Sequence, residues 1–219
     1  MLKYVDIHTH KVYTDQDVIF IRSFVAGHED ISNDYFFSLG CHPWHADDFS
    51  AEVLSLLQKY CKSDNCLAVG EIGLDKLRGP SLDKQMEVFI SQLDLAQSFN
   101  IPVVIHSVRS YNEILQLRKT YSSEPWIIHG FYGSKELAKQ LINRGIYLSI
   151  GSKLLSENSR LREILQYFPI NYIFFETDVW QNSVKDIYFA AAEILSVTPE
   201  VLKEKIFYNF NNVFNVSVV

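Results

Sequence analysis

Short apolar runs alternate with longer amphipathic stretches along almost the whole chain. Runs of three to five residues, rich in branched and aromatic side chains, have the composition and length of buried strands. Eight such runs predict eight β-strands: Tyr4–Ile7, Val18–Arg22, Phe36–Leu39, Leu67–Val69, Val103–Ile105, Trp126–Ile128, Tyr147–Ile150 and Tyr172–Phe175.

Between most of these runs, apolar residues recur at the spacing of a helix face. In the stretch 82–99, for example, Met86, Phe89, Leu93 and Ala96 fall on one side. The same pattern predicts six helices: Ala51–Tyr60, Leu82–Phe99, Tyr111–Tyr121, Lys135–Arg144, Leu161–Phe168 and Ile187–Leu195. A last helix is predicted after Pro199, with Thr198 as its N-cap.

Strands that alternate with helices indicate parallel βα units, in either an open doubly wound sheet or a closed barrel. The phosphate-binding pattern G-x-G-x-x-G of a dinucleotide-binding sheet is absent after the first run. The count of eight favours a (β/α)8 TIM barrel. At 219 residues the chain is small for this fold, and Lys11–Asp17 is too short for a helix, so we expect a slightly trimmed barrel. Nothing resembling a linker divides the sequence, which predicts one domain over residues 1–219.

Composition narrows the class of protein. The net charge of -6 argues against a protein that coats nucleic acid through a basic face, but not against an enzyme that meets phosphates through a bound metal ion. The three cysteines, Cys41, Cys61 and Cys66, are not spaced like those of a disulfide-stabilised domain. No secretory signal is apparent, and no apolar stretch is long enough to span a membrane. We therefore expect a cytoplasmic protein without a membrane partner.

Histidines and carboxylates collect directly after the predicted strands. Six of the seven histidines lie there, and only His28 stands elsewhere. His8 and His10 are two residues apart, so in a strand they share one face. In a TIM barrel the carboxyl ends of all strands meet on the face that carries the active site. Six residues at these ends are metal-ligand candidates: His8, His10, Glu71, His106, His129 and Asp178.

Taken singly, each of these residues has an ordinary explanation, such as a helix N-cap for Asp178 or a solvent-facing loop position for Glu71. Together they exceed what one tetrahedral ion needs and suit two ions about 3.5–4 Å apart. We predict that His8, His10 and Asp178 hold one ion, that His106 and His129 hold the other, and that Glu71 bridges them. Mixed nitrogen and oxygen ligands fit Zn, Mn, Co or Ni, with Mg less favoured.

Several motifs, in this order, resemble the TatD-like metal-dependent hydrolases, which are TIM barrels of the amidohydrolase superfamily. They are H-x-H on the first strand, G-C-H-P, G-E-I-G-L-D, P-V-V-I-H-S, I-I-H-G-F, L-S-I-G, E-T-D and the closing Asn209-Phe210-Asn211-Asn212-Val213-Phe214. The resemblance implies a metal-dependent nuclease, often a 3′→5′ exonuclease on DNA, and the same six metal positions.

Three segments depart from the family pattern. The motif H-x-H is followed by Lys11-Val12. The family has Arg two residues after the histidine of the fifth strand, whereas here Arg109 lies three residues after His106. The motif E-T-D is followed by Val179-Trp180 where the family has Ala-Pro. The metal set is thus complete, whereas the segments that would face the substrate differ.

These observations predict hydrolysis of a phosphodiester in DNA, at a single strand or strand end, by metal-activated water. Asp178 and Glu71 are the expected catalytic residues, with Asp178 also accepting the proton of the water. His42 and Arg109 are expected to bind phosphate oxygens, and His45 to contact sugar or base. Hydrolysis of an amide, lactone or aminoacyl ester is one alternative, and a non-catalytic role in a larger complex is another. The sequence gives no sign of an obligate protein partner.

Overall fold

The computed structural model describes residues 2–216, and this range contains eight β-strands and seven α-helices. The strands are β1 (Tyr4–Thr9), β2 (Val18–Val25), β3 (Phe37–Gly40), β4 (Cys66–Asp75), β5 (Val103–Val108), β6 (Trp126–Ile128), β7 (Ile146–Ile150) and β8 (Ile173–Phe175). The helices are α1 (Ala51–Tyr60), α2 (Leu82–Phe99), α3 (Tyr111–Leu117), α4 (Lys135–Ile142), α5 (Arg160–Ile164), α6 (Val184–Leu195) and α7 (Pro199–Phe214). Short 3-10 helices lie at Pro43–Asp48, Ser152–Leu155, Leu165–Tyr167 and Ile170–Tyr172.

Most predicted elements are confirmed. The bounds of α1, α2 and β6 match the prediction, and the Thr198 hydroxyl caps α7 by accepting from the backbone N–H of Val201 at 3.3 Å. As predicted, the segment between β1 and β2 forms no helix.

Three helix ends were predicted wrongly. The chain after α3 tightens into turns in which Lys119 and Thr120 donate to carbonyls three residues back, and α4 ends before Gly145, whose φ of +71° is left-handed. The stretch 161–168 is α5 followed by a 3-10 helix.

The residues fall into two compact units: a central unit of residues 22–128, and a terminal unit of residues 1–21 with 129–219. In the central unit, neighbouring strands from β2 to β6 pair in parallel, with register pairs such as Val25 with Gly40 and Ile105 with Ile128. Helix α2 packs on β4 and buries Phe89 against this sheet. The carboxyl ends of these parallel strands therefore lie on one edge of the unit.

Strand β4 is much longer than predicted, because it includes the whole motif G-E-I-G-L-D. Its outer half pairs with β5 through Ile72 with Ile105, Gly73 with His106 and Asp75 with Val108. The expectation that Glu71 follows the strand was therefore wrong, since Glu71 lies within it and is buried.

In the terminal unit, β7 and β8 pair in parallel. Thr9, the last residue of β1, forms a parallel bridge with Asp178, which follows β8. Buried polar side chains of the last two helices hold these strands. The Tyr188 hydroxyl of α6 lies 3.1 Å from both the N and the O of Val5, and the Asn209 amide of α7 donates to the carbonyl oxygens of Ile170 and Ile173. Asn209 of the closing motif thus fixes the start of β8.

Among residues 2–216, none of the helices combines the length and the apolar character that a membrane crossing requires.

Candidate metal centre

The terminal unit brings His8, His10 and Asp178 together, and these three residues are called the H-x-H group below. Their ligand atoms all lie within 4.8 Å of one another. Asp178 Oδ1 is 3.8 Å from His8 Nε2 and 3.6 Å from His10 Nε2. His8 is fully buried, whereas the side chains of His10 and Asp178 are 32% and 39% exposed. The group therefore has a buried base and an edge open to solvent.

Backbone hydrogen bonds fix this geometry. The N–H of Asp178 donates to the carbonyl of His8 at 2.9 Å, and the N–H of His10 donates to the carbonyl of Asp178 at 3.1 Å. Asp178 has a φ of +53°. Asp178 thus lies beside the two histidines, as a shared metal site would require. Its alternative as the N-cap of α6 is excluded because Ser183 occupies that position.

A buried carboxylate, Asp6, links the two segments of the H-x-H group. It accepts hydrogen bonds from the backbone N–H and the hydroxyl of Thr177 and from the Tyr13 hydroxyl. Burial raises the pKa of Asp6 to about 6, although these hydrogen bonds act in the opposite direction. The Thr177 hydroxyl also lies 2.8 Å from that of Thr9. Residues 6–10 are therefore tied to residues 177–178 by side chains as well as by backbone.

His129 lies beside this group in the same unit. Its ring centroid is 4.4 Å from that of His8, and its Nδ1 is 3.4 Å from Oε1 of Glu176. Burial acts to raise the pKa of Glu176, but His129 and His8 outweigh that effect and hold the pKa below its usual value. The backbone N–H of Gly130 donates to the same oxygen at 2.6 Å. Glu176 thus lies against the Nδ1 side of the His129 ring.

The central unit supplies a second set, the Glu71 group, made of His42, Glu71 and His106. Their ligand atoms also lie within 4.8 Å of one another. Glu71 Oε1 is 2.6 Å from His106 Nδ1 and 3.2 Å from His42 Nε2. Nδ1 of His42 accepts from the backbone N–H of Trp44, so the proton of its ring is on Nε2 and faces Glu71.

Asp75 orients His106 from the other side. Its Oδ2 lies 3.4 Å from His106 Nε2 and accepts from Trp44 Nε1 at 2.7 Å. Burial acts to raise the pKa of Asp75, but the bonds from Trp44, Leu77 and His106 lower it overall. A histidine that binds metal commonly donates its other N–H to a carboxylate, which fixes its tautomer. Asp75 places His106 in that state, with Nδ1 directed at Glu71.

Two buried glutamines of α2 hold the loops that carry the Glu71 group. Gln92 accepts from the backbone N–H of Cys41 at 2.7 Å and donates to its carbonyl oxygen at 3.1 Å. Gln85 makes the same pair of bonds with the backbone of Asp75, at 2.8 and 3.0 Å. Because the two glutamines are seven residues apart, they share one helix face. One helix therefore positions both His42, next to Cys41, and the Asp75 partner of His106.

Gly73 explains part of the motif G-E-I-G-L-D. It has a φ of +140°, and a Cβ at this position would overlap the carbonyl oxygen of His106. Only glycine tolerates both the backbone conformation and this close approach. The glycine lets β4 and β5 lie close enough for Glu71 and His106 to meet.

Beside the H-x-H group, the terminal unit contains a cavity of about 430 Å³. Its lining includes Lys153, Glu176, Asp178 and Trp180. Lys153 lies 5.0 Å above the ring of Tyr132, which is exposed. The cavity thus combines a cation and aromatic faces next to a carboxylate of the ligand set.

The donor atoms of both groups fit a divalent metal ion. Imidazole nitrogens and carboxylate oxygens are ligands that Zn, Mn, Co and Ni all accept. The ring orientations set by Asp75 and Glu176 are those of metal-binding histidines.

The sequence of the chain identifies its family. Residues 20–215 match the model of the TatD-related DNases. The chain belongs to that family. The predicted membership among TatD-type metal-dependent hydrolases is therefore confirmed.

Curated relatives from this family share about a third of the aligned residues. An uncharacterized metal-dependent hydrolase of Haemophilus influenzae is 33% identical over 151 residues, which cover 65% of this chain and 58% of that protein. The 3′-5′ ssDNA/RNA exonuclease TatD of Pantoea ananatis is 32% identical over 156 residues, covering 66% of this chain and 58% of that protein. The chain thus matches less than two thirds of the length of these relatives.

Solved structures establish the fold. The TatD homologue YjjV of Escherichia coli matches with a TM-score of 0.86 at 21% identity, covering 99% of both chains. An uncharacterized amidohydrolase of Saccharomyces cerevisiae matches with a TM-score of 0.78 at 13% identity, covering 98% of this chain and 100% of that one. The family member described here is a (β/α)8 TIM barrel, as predicted.

The residues expected to bind substrate lie in different surroundings. His42 belongs to the Glu71 group, and Arg109 is exposed at the end of β5 with a φ of +54°. His45 lies within reach of His28 and Asp48, with its Nδ1 3.5 Å from Asp48 Oδ2. The expectation that His28 stands apart from the strand ends was wrong. Strand β2 extends to Val25, and His28 lies in the turn that follows it.

Three functional side chains were missed from the sequence: Asp6, Asp75 and Glu176. Each stands two or four residues from a predicted ligand, in D-I-H, E-I-G-L-D and E-T-D. The signal that could have found Asp75 and Glu176 is chemical, because a metal-binding histidine commonly donates its other N–H to a carboxylate. No such signal points to Asp6, which accepts from Thr177 and Tyr13.

Proposed function

We propose that the chain is a metal-dependent phosphodiesterase that removes nucleotides from the 3′ end of single-stranded DNA. The observation that carries this proposal is the H-x-H group, in which two imidazoles and one carboxylate converge beside a cavity that holds a lysine. Membership of the TatD-related DNase family supports it, as does the exonuclease named in Pantoea ananatis.

Two divalent ions are proposed, held by six residues. His8, His10 and Asp178 hold one, His106 and His129 hold the other, and Glu71 is shared by both. Zn, Mn, Co and Ni suit these ligands better than Mg, which prefers oxygen. A bound divalent ion supplies Lewis acidity, which lowers the pKa of water and neutralises charge on a phosphate.

The proposed roles of the two carboxylates differ because their exposure differs. The side chain of Asp178 is 39% exposed and lines the cavity, so it can accept a proton from an attacking water and release it to solvent. The side chain of Glu71 is 8% exposed and lies against His42 and His106, so it acts as a ligand rather than as a base. The Nε2–H of His42 faces Glu71, and this N–H can donate to a phosphate oxygen as well as to a carboxylate.

The cavity beside Asp178 supports a strand end as the substrate. An aromatic face can stack on a base, and a lysine can pair with a phosphate, without any reading of sequence. Trp180 and Lys153 supply these two chemistries. Arg109 is proposed as a further phosphate contact. A cytoplasmic location, the absence of an obligate partner and the single-domain organisation stay predictions.

A substrate panel tests the proposal. Metal-loaded protein is incubated with single-stranded DNA, duplex DNA, RNA and an aminoacyl ester, and the products are resolved by length and by ester release. We expect shortening of single-stranded DNA to exceed that of duplex DNA. Intact nucleic acids together with release of the aminoacyl ester would replace the phosphodiesterase proposal with the carbonyl alternative. If no substrate turns over although metal is bound, a non-catalytic role is favoured.

A further inference from the structure

His28, His45 and Asp48 form a third ligand set, called the outer histidine site below. His28 lies in the turn after β2, and the other two lie in the 3-10 helix after β3. These two loops are held together because β2 and β3 are parallel neighbours and the N–H of Ala26 donates to the carbonyl of Gly40 at 2.8 Å. The site therefore lies wholly in the central unit, on residues that the six proposed ligands do not include.

The three side chains converge on one point. Asp48 Oδ2 is 3.2 Å from His28 Nε2 and 3.5 Å from His45 Nδ1, and all three ligand atoms lie within 4.8 Å of one another. A tetrahedral zinc ion with nitrogen and oxygen ligands at about 2.0–2.1 Å has its ligand atoms about 3.3 Å apart. The two separations around Asp48 lie on either side of that value, so small side-chain rotations would complete the geometry.

The two imidazoles are also packed against each other, with ring centroids 4.1 Å apart. Together with the Asp48 carboxylate, the adjacent rings place two imidazole nitrogens and one carboxylate oxygen within reach of a single ion. Glu29 and Asp30 follow His28 in sequence and add negative potential that attracts a cation.

We propose that the outer histidine site binds one divalent transition metal ion, with zinc as the preferred ion, and that this ion is additional to the metals of the active site. Three protein ligands leave a fourth position for water. The 3-10 helix Pro43–Asp48 has His42 as its N-cap and contains Trp44, whose Nε1 donates to Asp75. An ion held by His45 and Asp48 therefore ties down the segment that positions His42, and its binding orders this loop.

The test compares zinc binding by the whole protein and by His28→Ala. Protein stripped of metal is dialysed against zinc, and the bound zinc per chain is measured by mass spectrometry. We expect His28→Ala to bind one equivalent less than the parent. Asp47→Asn is the matched control, because Asp47 is an exposed neighbour of Asp48 outside the site, and it should bind as much zinc as the parent. Cobalt substitution adds an independent signal, since loss of one cobalt–imidazole site should reduce the visible absorption.

A second variant, Asp48→Asn, guards against a folding artefact in the first, and thermal unfolding of the stripped proteins verifies that each variant folds. Zinc should raise the melting temperature of the parent more than that of either site variant. Equal zinc content and equal zinc-dependent stabilisation in the parent, His28→Ala and Asp48→Asn would overturn the proposal. The nuclease activity is a separate measurement, so failure of this site leaves the proposed function untouched.

Discussion

The backbone N–H of Asp178 donates to the carbonyl oxygen of His8 at 2.9 Å, and the carboxylate of Asp178 lies 3.8 Å from Nε2 of the same histidine. One backbone contact thus sets the distance between two functional side chains that are 170 residues apart in sequence. Because a hydrogen bond between backbone atoms does not depend on either side chain, and because asparagine also adopts a φ near +53°, we expect Asp178→Asn to keep the local fold.

Replacing Asp178 by Asn is expected to abolish turnover while the fold and most metal binding remain. The amide keeps the shape and an oxygen for a metal, but it cannot accept the proton of an attacking water. General-base assistance contributes about 10²–10⁴ in rate, so kcat should fall by that factor with a smaller change in KM. Kinetics, metal content and thermal unfolding are measured together. A kcat near that of the parent with metals bound would show that Asp178 is not the base.

Replacing Asp6 by Asn should destabilise the fold. The carboxylate accepts from Thr177 twice and from Tyr13, whereas an asparagine amide can accept only on its oxygen and would direct its NH₂ at one of these donors. We expect a loss of about 1–3 kcal/mol in the free energy of unfolding, measured by urea titration. Asp64→Asn, at an exposed position, is the control and should change stability by less than about 0.5 kcal/mol. Equal stability of the two variants would contradict this role of Asp6.

Gln92→Leu tests the glutamine that holds the loop before His42. Leucine is similar in volume but leaves the backbone N–H and C=O of Cys41 without their partner, which costs about 1–3 kcal/mol in unfolding free energy. Gln97→Leu changes an exposed glutamine of the same helix and should be nearly neutral. Urea unfolding of both variants makes the comparison. The account of the loop fails if the Gln92 variant is as stable as the Gln97 variant.

The Cys41 thiol should be unreactive in the folded protein. Cys41, Cys61 and Cys66 are all buried, and burial raises the pKa of Cys41 to about 12. Because the thiolate is the reactive form, an aromatic disulfide reagent at neutral pH should modify Cys41 only after denaturation. Mass spectrometry of labelled peptides, with and without denaturant, checks this. Fast labelling of Cys41 in the native protein would contradict the burial described here.

The sequence predicted the positions of the strands and ligands better than the geometry between them. Short apolar runs and the residues after them placed His8, His10, His106, His129 and Asp178 at strand ends, because hydrophobic periodicity reports burial directly. The length of β4 was missed. Its outer half contains two glycines and two acids, which are unfavourable in strands, and only pairing with β5 makes them extended.

The partners of the ligands could not be read from periodicity either. The roles of Asp75 and Glu176 depend on which histidine the fold brings near them. His28 was misplaced for a related reason. The predicted β2 ended at Arg22, but the strand continues through the polar Ser23, which is buried and pairs with Ser38 of β3.

The central claim is metal-dependent cleavage from the 3′ end, and a two-label assay on single-stranded DNA tests it most directly. Parent protein, stripped of metal by chelation and then reloaded with zinc, manganese or cobalt, is incubated with DNA labelled at its 5′ end or at its 3′ end, with Asp178→Asn as the matched control. We predict a descending ladder from the 5′-labelled strand and immediate release of the 3′ label, both only after reloading and only with the parent side chain. Two results would contradict the account. One is undiminished shortening of the DNA in excess chelator when metal is shown to be absent. The other is a ladder from Asp178→Asn that is the same as the ladder from the parent protein.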